Sequence, residues 1–182
     1  MYRTILFTLM TFSSLLGACE KDKTNSSGAY GDGPRTPVPA ALQGGWMYGN
    51  FSTTEYWNQN PSEYIGNGFE LAIAFKFNAN GTYEQYFTSK TVAGGIATYH
   101  QSFTKGTVEI NEANKTLITH AYSAHYKQTK NGKTTEDRDL AAKEITKTTQ
   151  YTYDPGTEPN GTKVIRLKMN GTTDPLSFLL KF

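Results

Sequence analysis

Between Phe69 and Phe77 the chain alternates without a break. Phe69, Leu71, Ile73, Phe75 and Phe77 fall on one side, and Glu70, Ala72, Ala74 and Lys76 on the other. Period-two alternation is the mark of a strand with one buried face. The run leads into Ala79-Asn80-Gly81, a three-residue hairpin loop with glycine at its left-handed last position. That loop sets Phe77 opposite Tyr83 and Ile73 opposite Phe87, so the apolar faces meet. A two-residue Asn80-Gly81 loop would set Phe77 against Glu84.

The same chemistry recurs along the chain. Further strands are expected at Trp46–Phe51, Ile96–Thr104, Thr107–Ile110, Thr116–Gln128, Ile145–Tyr153, Lys163–Met169 and Leu176–Phe182. Turn signals separate them: Asn111-Glu112-Ala113-Asn114, Lys130-Asn131-Gly132-Lys133, Asn160-Gly161-Thr162 and Asn170-Gly171-Thr172. The Asn-Gly-Thr triplets also match a glycosylation acceptor, but hairpin turns account for them. One helical stretch is expected, Glu136 to Lys143, with Thr135 or Asp137 as its cap. Eight to ten short strands and no internal repeat point to an all-β fold. The simplest arrangement is an antiparallel meander closing into a small barrel, since closure removes exposed edges. A sandwich is the open alternative.

The N-terminus reads differently. Arg3 is the one charge before Glu20, and Ile5 to Leu16 is an apolar run too short to span a bilayer. It ends in Leu16-Gly17-Ala18-Cys19, which resembles the lipobox of bacterial lipoproteins. That resemblance implies a signal peptide over residues 1–18 and a lipidated Cys19 that anchors the chain to a membrane. Residues 19–41 are rich in Ser, Gly and Pro, without apolar periodicity, and read as a flexible tether. The charged Glu20-Lys21-Asp22-Lys23 is similar to the export signal of Bacteroidetes surface lipoproteins. The implied location is the cell envelope, at the outer membrane, facing the periplasm or the surface.

Composition narrows the function. With 18 Lys+Arg against 16 Asp+Glu, the net charge is +2, far from the footprint of a nucleic-acid binder. A single Cys excludes an intramolecular disulfide and a cysteine-based zinc site. No Gly-x-Ser-x-Gly, phosphate loop or dinucleotide fingerprint occurs, so nothing calls for a cofactor or marks an enzyme.

Leu42-Gln43-Gly44-Gly45-Trp46 heads the first strand, and its Gly-x-Trp resembles the opening motif of lipocalins. Phe75 to Tyr83 and the terminal Leu179-Leu180-Lys181-Phe182 are similar to the second hairpin and closing strand of bacterial lipocalin-like lipoproteins. The resemblance implies a lipocalin-like (calycin) barrel over residues 42–182, with Trp46 closing one end. Where lipocalins often place an Arg on that Trp, the nearest basic residues here are Lys181 and Arg166.

Candidate site residues follow. On a strand His120 and His125 lie on opposite faces and cannot share a metal, so no metal site is expected. His120 shares its face with Tyr122; if that face lines the barrel, His120 is a polar handle in an apolar pocket. With Phe75, Phe77 and Tyr83 it forms the expected wall of a ligand cavity. The long segment from Phe51 to Gly68 carries Tyr56, Trp57 and Tyr64, which the lipocalin resemblance implies form an aromatic lid over the open mouth. The expectation is a small apolar or amphipathic ligand. Two other readings stand beside it: a filled barrel whose aromatic loop binds another protein, and a hydrolase using His120 with an acidic residue.

Overall fold

The computed structural model describes residues 27–50, 56–57 and 71–182. Cys19, Tyr64 and the proposed signal peptide lie outside the described residues. A single helical turn, α1 (Ser27–Tyr30), precedes nine strands: β1 (Gly44–Tyr48), β2 (Leu71–Phe77), β3 (Thr82–Ala93), β4 (Ile96–Asn111), β5 (Thr116–Lys130), β6 (Lys133–Asp139), β7 (Thr148–Thr157), β8 (Lys163–Met169) and β9 (Leu176–Leu180).

All pairings are antiparallel, and eight strands close a hydrogen-bonded ring through β4–β5 and β1–β9, with β6 outside it on β5. The ring is uneven. β3 and β4 pair from Thr82↔Thr107 to Ala93↔Ile96, whereas β1 meets β9 only at Trp46↔Leu180 and Met47↔Leu179.

The first hairpin has the expected register, Phe77↔Tyr83 and Ile73↔Phe87. Gly81 holds φ +79°, the left-handed position that closes this loop. At the next Asn-Gly turn both Asn131 (φ 45°) and Gly132 (φ 76°) are left-handed, the twist that suits two paired strands.

Three expectations need correction. The Glu136–Lys143 segment is not a helix: Lys133–Asp139 is β6, because the tight Asn131-Gly132 turn returns the chain along β5 before a helix can start. The strands expected at 96–104 and 107–110 are one strand, β4, running through Lys105-Gly106. A bulge lies opposite that point, where Lys105 pairs with Ser123 and Gly106 with Ala121, leaving Tyr122 as the extra residue. The described part of the expected tether is docked. Thr36 N donates to Val108 O (3.0 Å), Val38 N donates to Ala79 O (3.1 Å), and Val38 is buried.

The inward row on β4 and β5 includes Val108, Ile110 and Leu117, which join Trp46, Phe75, Phe77, Tyr83, Ile165, Leu167 and Phe178 in one core. Trp46 is 1% exposed, and its Nε1 donates to Leu42 O (2.8 Å). Val38 and Leu42 pack into the same end, so this end of the ring is filled. A second, smaller cluster of Met47, Tyr56, Ala72 and Ala74 lies on the outer face.

Candidate functional site

The bulge at Tyr122 shifts the alternation of β5. Leu117 and Thr119 face inward before it, and Ala124 after it. His120 and His125 therefore both lie on the outer face, because the extra residue reduces their five-residue spacing to an even one. The expectation that His120 and Tyr122 line the interior is corrected accordingly. His120 Nε2 meets Glu109 Oε2 at 2.8 Å across the outside of the sheet, and the residues around Gly33 cover it. Tyr122 is 54% exposed beside Gly31.

Tyr56 and Trp57 are also outside. The Tyr56 hydroxyl lies between β3 and β4, in contact with the Phe87 carbonyl and accepting from Ser102 N (3.1 Å). Its main-chain carbonyl accepts from Gln101 Nε2 (2.6 Å). Trp57 sits edge-on to the His125 ring at 4.9 Å, and its carbonyl accepts from Lys127 Nζ (2.7 Å). The two aromatics are bound to the sheet's back and do not roof its interior. Both nitrogens of His125 meet carboxylates, Nδ1 with Asp139 (2.7 Å) and Nε2 with Asp137 (2.8 Å). Burial works against the charged ring, but the hydrogen bonds it donates to Asp139 and Asp137 outweigh it and hold its pKa above the usual value.

Of the expected wall, Phe75 and Phe77 belong to the filled end, stacked 5.6 Å apart. Phe75 meets Tyr151 edge-to-face, ring centres 5.8 Å apart, and Tyr151 in turn borders an open space. That space is a cavity of about 350 Å³ at the opposite end from Trp46. Tyr83, Gln85, Ser102, Thr104, Thr119, Ala124, Thr149 and Tyr151 form its walls. The segment after β6 crosses it with Leu140, Glu144, Ile145 and Thr146. Both ends of this strap are tied to β5: Leu140 N donates to Ala124 O (2.8 Å) and Ala121 N to Lys147 O (2.9 Å). Arg138 clamps it, with Nη1 and Nη2 each 2.9 Å from the Glu144 carboxylate and Nε 2.7 Å from Glu136.

The chemistry inside is amphipathic. Burial pushes the Tyr151 hydroxyl up to about 12 and raises Tyr83 as well, so both stay neutral donors. Tyr83 is tied to Thr119 and Tyr151 to Thr149. The side chains of Gln85, Ser102 and Thr104 make no hydrogen bond among the described residues, so an amide and two hydroxyls remain for a ligand. Among the described residues no cluster of three metal-ligating side chains forms.

Of the residues expected to line the cavity, Tyr83 is on its wall, while Phe75 and Phe77 belong to the packed core. Gln85, Ser102, Thr104, Thr149 and Tyr151 were missed. Gln85 carried a signal, as the polar member of the row Tyr83, Gln85, Phe87. The strap carried none: its start was expected as helix and its end, from Ile145, as strand, whereas β7 begins only at Thr148.

The chain matches no family model, no characterised protein and no solved structure.

Proposed function

We propose that this chain is a lipid-anchored cell-envelope lipoprotein, held through Cys19, whose barrel binds a small amphipathic ligand at its open end. One observation carries the reading: the cavity of about 350 Å³ that pairs two tyrosine rings with the unbonded Gln85, Ser102 and Thr104. Such a volume lies within the range of small-molecule sites, roughly 300–1,000 Å³. The rings favour an apolar surface, and the amide and hydroxyls reward a polar edge. A purely aliphatic ligand would strip those groups of water and return nothing. The interaction-module reading gains no support from Tyr56, whose ring is buried against the sheet.

Titration with the amphipathic fluorophore anilinonaphthalene sulfonate tests this. Saturable binding is expected, with Thr104→Phe abolishing it by filling the cavity, and Trp57→Ala leaving it within about twofold. Equal binding by Thr104→Phe and wild type would sink the cavity as the site.

A further inference from the structure

β3 runs on past Ser89, its last described partner in β2 being Leu71, and among the described residues β3, β4, β5 and β6 continue from there as a four-stranded ribbon. Its two turns lie side by side at the far tip. Asn131 N donates to Ala97 O (2.9 Å), and Ala97 N donates back to Asn131 Oδ1 (3.1 Å). Val92 pairs with Ala97 on one face and Ala93 with Ile96 on the other, so the first turn is apolar on both sides. Val92 is 58% exposed and Ile96 48%, the two of them flanking Gly94-Gly95. Behind this wedge stand Lys90, Lys130 and Lys133; the nearest acidic residues on the ribbon, Glu136 and Asp137, lie further back on β6 and are bonded to Arg138 and His125.

We infer that this ribbon tip is a membrane-contact site, entering the headgroup layer of an anionic bilayer. Small apolar side chains at an exposed turn reach the acyl boundary, while ammonium groups behind them meet lipid phosphates. A protein partner would need roughly 800 Å² of surface. The tip offers a few small side chains at the end of a ribbon, enough for a lipid surface and too little for that. The inference borrows from the proposed lipid anchor only the nearness of a membrane.

Flotation with vesicles of phosphatidylcholine, alone or with one quarter phosphatidylglycerol, tests it. The protein used is the unlipidated chain from Glu20 onward, which holds every described residue. Wild type is expected to bind the anionic vesicles and not the neutral ones. Lys130→Gln with Lys133→Gln should weaken binding about twenty-five-fold, at about fivefold per lysine. Val92→Ser with Ile96→Ser should weaken it on the order of tenfold. All four positions are exposed, so circular dichroism should show unchanged folds. No binding, equal binding to both vesicle types, or wild-type binding by either double variant would overturn the inference. Because the protein lacks Cys19, such a failure leaves the anchor and the cavity untouched.

Discussion

At the closed end of the ring, Trp46, Phe77, Phe178 and Leu42 fill the interior almost completely, and the docked Val38 seals it. At the open end, β3, β4 and β5 turn Gln85, Ser102, Thr104 and Thr119 to the same interior. The β3–β4 ladder runs unbroken between the two and the β4–β5 ladder is interrupted by the one bulge at Tyr122, so the difference lies chiefly in the side chains. Burying large rings supplies the stability of the closed end. The unbonded side chains of Gln85, Ser102 and Thr104 contribute little to folding at the open end.

The largest effect should come from Trp46→Ala. It removes the largest fully buried side chain among the described residues and its bond to Leu42 O, and should cost about 3–5 kcal/mol. Thr104→Val at the open end should stay within roughly 1 kcal/mol, since the lost hydroxyl has no partner. Urea unfolding of both variants measures the contrast. Comparable losses would mean that the open end is as tightly packed as the closed one.

The next effect tests how the closed end is sealed. A Cβ on Gly81 would lie 2.4 Å from Thr36 O, and its φ of +79° disfavours any side chain. Gly81→Ala should therefore cost on the order of 1–3 kcal/mol and loosen the 36–38 segment. Gly132 also has positive φ but has nothing within 4 Å of its added Cβ. Gly132→Ala should cost about 1 kcal/mol or less, from backbone strain alone. Amide exchange at Thr36 and Val38 would separate the two: faster in Gly81→Ala, unchanged in Gly132→Ala.

Legibility in the sequence follows from locality. The β2–β3 hairpin was readable because its alternation and its Ala79-Asn80-Gly81 loop agree on one register. Trp46 was readable as an end plug from Gly-x-Trp and its neighbours. The faces of β5 were not. A bulge is a relation between two strands, and nothing around Tyr122 marks the residue that will be left over. That single residue sent His120 and His125 to the same side and removed His120 from the interior. The outward docking of Tyr56 and Trp57 depends on partners in β3, β4 and β5, beyond the reach of local pattern. Glu136 to Lys143 looked helical because its charges fit a helix start. The Asn131-Gly132 turn committed part of it to β5 first.

The smallest effect concerns what holds the open end in place. Glu144 bonds Arg138 and accepts from Ala141 N (2.7 Å), and those bonds hold its carboxyl well below the usual range, at about 2. A lowered folded pKa means the clamp is fully present above the unfolded value near 4.5 and is lost as pH falls through about 2. Both partners are exposed, so global stability should barely register the loss. The strap itself should register it. The Ala141 amide resonance is expected to move through the same window, and Glu144→Gln should flatten that titration at every pH. Salt near 1 M should reproduce part of the effect at neutral pH by screening. Trp46 and its neighbours at the closed end should show no matching change, because no titrating group joins them to the clamp. A simultaneous shift at both ends would mean that the strap and the core unfold together, and the division between a rigid end and an adjustable one would fail.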